Sequence, residues 1–414
     1  MSANIIGIEA MMILDSRGTP TIRATTRLSD GSIGIASAPS GKSTGKSEKV
    51  ELRDGGVPFG GRGVRKAVEN ISGPIAGCLS GHSVADLAAL DRALVDLDGT
   101  DDRSNLGANA MVAVSMSVWR AAARSRREPL WRTLAQHDTV AYPLPLFNVV
   151  NGGAHAPGGL RLQELMLVPH GLKTLGERIR CGAEVYDALR SCFADEGLAT
   201  SVGDEGGFVY TGKYIFDTIA LLLRAIERAG YTVAEQVSLA IDAAANGFRN
   251  ADGTYSPEVG TTLSNEQMCA WWVELVDSAP IVMLEDPLEE DDLEGWRLLT
   301  HLLGNRVTIV GDDVFVTDAA RIRRAVREGI ANAALLKPNQ IGTVSETIDA
   351  WRAARAGDYR TVVSHRSGET CDAFISDLAI GLGSEYLKAG APARAERVEK
   401  YNRLLEIERE AEGT

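Results

Sequence analysis

The chain has 414 residues, 44% of them hydrophobic and 24% charged, which is enough for two domains with a sizeable core. Its 43 lysines and arginines stand against 56 aspartates and glutamates, and the net charge of −13 disfavours non-specific attachment to nucleic acid or an anionic membrane. No apolar run reaches the ~18 residues of a membrane span, and an acidic protein that handles an anionic substrate has to gather its cations locally.

The opening MSANIIGIEAMMILDSRG has an apolar patch with no basic stretch ahead of it, and reads as a first strand rather than a signal peptide. Residues 5–38 alternate apolar and polar positions around Asp30-Gly31, which predicts a hairpin followed by another strand. After the loop PSGKSTGKS, apolar residues recur every three or four through 64–79, 84–97 and the alanine-rich 108–126, predicting helices. Strands followed by helices make a small α+β domain, assigned to residues 1–138.

Around Pro143-Leu144-Pro145 the rhythm changes, and short β-type runs begin to take turns with amphipathic segments. Candidate strands fall at 146–150, 165–168, 239–241, 281–284, 308–310, 333–336 and 361–363. Helical stretches between the later ones lie at 265–277, 293–303, 318–328 and 345–356. That alternation predicts an α/β architecture, a parallel sheet closed into a barrel over residues 139–414. Five cysteines, odd in number and without CxxC spacing, suggest neither a disulfide framework nor a zinc site and fit a reducing cytoplasm.

Each late strand is followed at once by a chemically useful residue: Asp242, Glu285, Asp312, Lys337 and His365, at intervals of 43, 27, 25 and 28 residues. Barrel active sites form at the C-terminal strand ends, so these side chains are expected to share one mouth. Any one acid there could simply cap the next helix. Three in successive units, with no histidine or cysteine among them, make a hard oxygen site suited to Mg²⁺. Lys337, in LLKPNQIG, is placed to act as a base if nearby positive charge lowers its pKa. VGDEGGF (202–208) offers Asp204 and Glu205, NGGAH (151–155) offers His155, and SHRSGET (364–370) sets His365, Arg366 and Ser367 together as hydrogen-bond donors suited to a phosphate. PSGKSTG is not a P-loop, because Ala36 stands where that motif needs glycine.

These segments, with LDSRGTPT (14–21), ELRDGG (51–56), LGANA (106–110), FNVVNGGAH (147–155), QEL (163–165), LEDPLEEDD (284–292), VGDDVFVT (310–317), LLKPNQIGT (335–343) and KAGAPARAERVEKYNRLLEIE (388–408), resemble the enolase family nearly end to end. The resemblance implies an enolase-type TIM barrel preceded by the smaller α+β domain, with a strand order that departs from simple βα alternation near its start. It implies a hydro-lyase that removes water from a 2-phosphoglycerate-type acid. One Mg²⁺ would be held by Asp242, Glu285 and Asp312, and a second contacted through Ser43. Lys337 matches the general base and Glu205 the general acid, with Glu164 and Asp204 beside it and Gln163 among the substrate contacts. Lys388 matches the residue at the substrate carboxylate; His155, His365, Arg366 and Ser367 match groups around the leaving hydroxyl and the phosphate. A homodimer or an assembly of dimers is the implied state. A non-catalytic binding protein would not need these groups together, and a racemase or cycloisomerase on a related barrel would lack the phosphate cluster.

The chain also departs from the family pattern. Lys42 replaces an alanine beside Ser43, while Gly247 and Cys371 stand where glutamates are expected, so the motif neighbourhood is more positive by three charges. Ala154 and Ala389 replace hydroxyl residues. Either the changes are drift, or the substrate is a 2-phosphoglycerate analogue with one more negative charge. Carboxyphosphonoglycerate, dehydrated by enolase-like paralogues of phosphinate pathways, is such a compound, and Lys42 would meet its extra carboxylate.

Overall fold

Alternating apolar residues form an antiparallel meander of β1 (Ile5–Leu14), β2 (Pro20–Leu28) and β3 (Ile33–Ser37), in that spatial order. The computed structural model describes residues 3–42, 45–156, 158–212 and 214–412. The Asp30-Gly31 turn joins β2 to β3 as expected. The helix Ala108–Arg126 packs on the sheet so closely that a Cβ on Gly34 would lie 1.9 Å from the Ser117 carbonyl oxygen. A side chain at position 34 would push the helix off the sheet.

The helix expected over 64–79 is interrupted. Arg65–Asn70 runs into a π turn at Ile71–Ile75 and then Ala76–Leu79, because Pro74 has no N–H to give the preceding turn. The next helix starts at Leu87 rather than Val84, since Asp86 caps it by accepting from the Ala89 amide at 2.9 Å.

The rest of the chain builds a closed eight-stranded barrel. Its strands are β4 (Leu144–Asn151), β5 (Glu164–Val168), β7 (Ser238–Asp242), β8 (Ile281–Glu285), β9 (Thr308–Gly311), β10 (Ala333–Leu336), β11 (Arg360–Ser364) and β12 (Tyr386–Gly390), while the two-residue β6 (Phe208–Val209) pairs with the end of β4. β12 closes the ring on β4 through Tyr386↔Leu144 and Lys388↔Leu146. Sequence pattern picks out seven of the eight; β12 escapes because Lys388 interrupts its short apolar run. The departure from βα alternation is at β5, which runs antiparallel to both neighbours. Leu146, Met166, Val168, Ala240, Met283, Val310, Ala333, Leu335 and Val362 plug the barrel interior, so polar side chains collect above that plug. Among the described residues no helix is long and apolar enough to cross a membrane.

The N-terminal part is tied to the barrel by charge. Both Arg120 nitrogens donate to Asp372 at 2.7 Å, and the same carboxylate accepts the Ser37 and Phe374 amides at 2.8 and 2.9 Å. The loop after β3 is pinned by reciprocal backbone bonds between Ser40 and Gly368, which hangs it over the barrel mouth. Burial pushes the Asp372 carboxyl up, but Arg120 and the two amides outweigh it and hold the group below its ordinary value of 3.8. Asp372→Ala is expected to cost about 3 kcal/mol near neutral pH, since it strands a mostly buried guanidinium. A lowered folded-state pKa contributes stability above the ordinary value and loses it as pH falls through the folded one. The urea midpoints of wild type and variant should therefore converge below the ordinary value of 3.8.

Candidate active site at the barrel mouth

Parallel register brings the predicted residues to one rim. Asp242 and Glu285 end β7 and β8 as direct neighbours, Asp312 follows β9, Lys337 follows β10, His365 follows β11, and Lys388 projects from β12. Because β5 is reversed, its first residue is the one at the mouth, and Glu164 pairs in register with Asp242.

The centre of the site is a buried ammonium. Lys388 Nζ lies 2.9 Å from Asp242 Oδ2, 2.9 Å from Glu285 Oε2 and 3.0 Å from Glu164 Oε2. Gln163 Nε2 donates to Asp242 Oδ2 at 3.3 Å. A second amine, Lys337 Nζ, donates to Asp312 Oδ2, and Gln340 Nε2 donates to Asp312 Oδ1 at 2.8 Å. Asp242 and Glu285 thus share one amine and Asp312 takes the other. Among the described residues the sets whose possible ligand atoms all lie within 4.8 Å of one another are different ones, Asp286 with Asp312 and Asp313, and His155 with Glu164 and Glu205.

Four acids face two ammonium groups, and they cannot all ionise by themselves. Burial and the adjacent Asp242 charge push Glu285 up to about 8. Burial, together with the Glu205 charge, raises Glu164 well above the carboxylate range. A buried, oxygen-only set in which Glu285 is driven upward for want of positive charge fits Mg²⁺, and Asp242, Glu285 and Asp312 are the candidates to hold it. Ser43, the candidate contact to a second ion, lies outside the described residues.

The acid side differs from expectation. Glu205 accepts from Asn148 Nδ2 at 3.0 Å and sits 3.2 Å from His365 Nε2 and 3.7 Å from His155 Nδ1. Burial pushes its carboxyl up, but the His365 and His155 rings and Arg397 hold it well below the usual range. A general acid needs a raised pKa, and the raised value falls on Glu164 instead, which lies 3.5 Å from the same His155 Nδ1. Burial drives the His365 ring down to about 3, so it is neutral at physiological pH. Lys337 also departs from expectation. Burial, Arg366 and Lys388 push it down, yet the Asp312 carboxylate outweighs them and raises it.

The candidate anion-binding cluster is assembled from both parts of the chain. Arg366 is buried, its guanidinium forked onto Glu48 at 2.9 and 3.1 Å and bonded to Asn339 Oδ1 at 3.1 Å. Ser367 Oγ accepts from Arg17 Nη1 at 3.2 Å. Sequence reasoning missed Glu48, Gln340, Asn148, Arg17 and Arg397 as members of this site. Arg17, Gln340, Asn148 and Arg397 lie inside motifs already noted, but their types and spacing carry no catalytic mark; Glu48 falls just past its loop motif.

Lys42 Nζ pairs with Asp204 Oδ2 at 2.8 Å, so its extra charge is partly neutralised beside the acid. Gly247 and Ala154 line a cleft of about 670 Å³ at the mouth, together with Gln163, Asn246 and Asp313. A Cβ on Gly247 would meet nothing within 4 Å. Cys371 is exposed and adjoins Asp372, the partner of Arg120, which places it with the inter-domain tie. The three charge departures are therefore not one cluster. Removing the central cation isolates three acids: Lys388→Met is expected to destabilise the chelator-treated protein by about 3–5 kcal/mol. Thermal melts with and without MgCl₂ should show the variant recovering more stability from the ion than wild type does.

Two family models match the chain: "Enolase, N-terminal domain" over residues 5–134 and "Enolase, C-terminal TIM barrel domain" over residues 139–413. A relative named Enolase, from a Nitratiruptor species, is 49% identical over 407 residues, covering 98% of this chain and 96% of the relative. The chain belongs to the enolase family and is a hydro-lyase of that type.

Proposed function

We propose that the chain dehydrates 2-phosphoglycerate to the corresponding enol phosphate, with Lys337 as general base and Glu205 as general acid. The observation that carries this reading is one buried charged array with an amine at one end and an acid at the other. It runs from Lys337 and Asp312, past Glu285, Asp242 and Lys388, to Glu164, His155 and Glu205. Magnesium held by Asp242, Glu285 and Asp312 would supply positive charge against the second negative charge that builds on the substrate carboxylate.

Lys337 acts as a base only once neutral. Asp312 is what keeps it protonated, so drawing that carboxylate away leaves burial, Arg366 and Lys388 to lower the amine. Nζ then takes the proton α to the carboxylate, the electron pair delocalises into that carboxylate as its second negative charge, and it returns to form the carbon–carbon double bond as the β-hydroxyl leaves. Glu205, oriented by Asn148, gives the departing hydroxide its proton, and water is released. Glu164, protonated and beside the same His155 nitrogen as Glu205, is the nearest source from which that proton is supplied. Arg366 and Ser367, with Arg17 behind them, hold the phosphate by charge-assisted bonds, while His365 faces Glu205 through Nε2. Lys337→Met is expected to lower kcat by roughly 10²–10⁴-fold with KM little changed, followed as enol-phosphate absorbance. Wild-type turnover by this variant would remove Lys337 from the role.

Two observations favour a second reading, a substrate with an additional carboxylate. Lys42 adds a cation beside the acid loop, and Gly247 leaves room on the cleft wall. The 2-phosphoglycerate reading is preferred because Asp204 offsets Lys42 and Cys371 adjoins the inter-domain tie. Turnover of 2-phosphoglycerate and of carboxyphosphonoglycerate by wild type and Lys42→Ala separates the two. The preferred reading expects the phosphoglycerate to be the better substrate in both proteins. Preference for the phosphonate, abolished by Lys42→Ala, would reverse the order.

A further inference from the structure

One fully buried cation has no part in the reaction as written. Arg397, at the start of the C-terminal helix Ala395–Glu412, has 0% exposure. Its Nη1 donates to His365 Nδ1 and to the Arg366 carbonyl, both at 2.6 Å. Its Nη2 donates to the Ser367 carbonyl at 2.7 Å and the Asp204 carbonyl at 3.0 Å. The carboxylate oxygen paired with it among the described residues is Glu396 Oε1, 3.6 Å from Nε. A guanidinium buried with so little counter-charge is there for what it donates to.

Its acceptors belong to the two loops the reaction needs, VGDEGG with Glu205 and SHRSG with the anion-binding groups. A guanidinium has donors and no acceptor, so the His365 nitrogen facing it has to be bare. In the neutral ring the proton then sits on Nε2, which lies 3.2 Å from Glu205 Oε2. The opposite tautomer would set two N–H groups against each other at 2.6 Å.

We propose that Arg397 is a positioning residue: it holds His365 in the tautomer that presents Nε2–H to Glu205, and it clamps the acid-bearing loop against the anion-binding loop. The catalytic consequence rests on the reading of Glu205 as the acid; the placement of the ring does not. Lysine cannot replace the guanidinium here, because one ammonium cannot span acceptors on two loops and a ring nitrogen at once.

The test is nitrogen NMR of the ¹⁵N-histidine-labelled protein, with the His365 signals assigned by their loss in His365→Gln. Wild type should show Nδ1 bare and Nε2 protonated; the reverse tautomer overturns the proposal, whatever any variant does. Arg397→Lys, checked for native circular dichroism, should give a mixture of tautomers. Its kcat should fall roughly 100-fold while KM changes little, the size of effect that a small misplacement of catalytic groups produces. A folded Arg397→Lys protein with wild-type kcat and an unchanged ring also overturns the proposal. Should that variant fail to fold, the wild-type spectrum alone decides. Full activity in Glu205→Gln would instead sink the acid assignment, leaving the tautomer result to judge Arg397 separately.

Discussion

The barrel mouth is organised around a charge that has nowhere to go. Lys388 is buried on a strand interior with Glu164, Asp242 and Glu285 within 3.0 Å of its amine. A buried ion keeps its charge only where opposite charge and hydrogen bonds replace water. One ammonium cannot satisfy three acids, so Glu164 and Glu285 are driven upward and hold protons. The same imbalance makes the site receptive to a divalent ion. Ion binding and proton release are then two sides of one equilibrium.

Rigid strands make this arrangement possible. Adjacent strand ends are fixed by the ladder, as Asp242 and Glu285 are by direct pairing, so like charges stay close rather than relaxing apart. The reversal of β5 matters for the same reason. Run parallel, it would present Val168 at the mouth; run antiparallel, it presents Glu164 and links the Lys388 cluster to His155 and Glu205.

The barrel alone does not complete the site. Glu48 and Arg17, from the N-terminal part, hold Arg366 and Ser367, and Arg397 enters from the last helix to grip His365 and two loops. These groups are charged side chains whose bonds run to other residues of the candidate site. They restrain the residues proposed to meet the substrate, which is what a reaction sensitive to small displacements requires.

Much of this was legible in the sequence, and the parts that were not share a cause. Asp242, Glu285, Asp312, Lys337 and His365 follow apolar strands at βα-unit intervals, and parallel pairing has only one way to place such residues, at one rim. That local regularity carried the barrel, its mouth and the candidate ligands. Glu164 and Lys388 did not follow from pattern: one begins a reversed strand, and the other interrupts an apolar run, so only the family likeness marked them. The protonation states of Lys337, Glu164 and Glu205 were out of reach, because each depends on which charges lie within a few ångströms across strands far apart in the chain. Gly247 and Cys371, paired in the sequence as lost acids, prove to lie in a cleft wall and beside an inter-domain ion pair. Residue type and spacing determine what chemistry the chain can hold. Which charges become neighbours, and so which groups carry the protons, was decided only by the tertiary structure, since Coulomb interactions act through space and not along the chain.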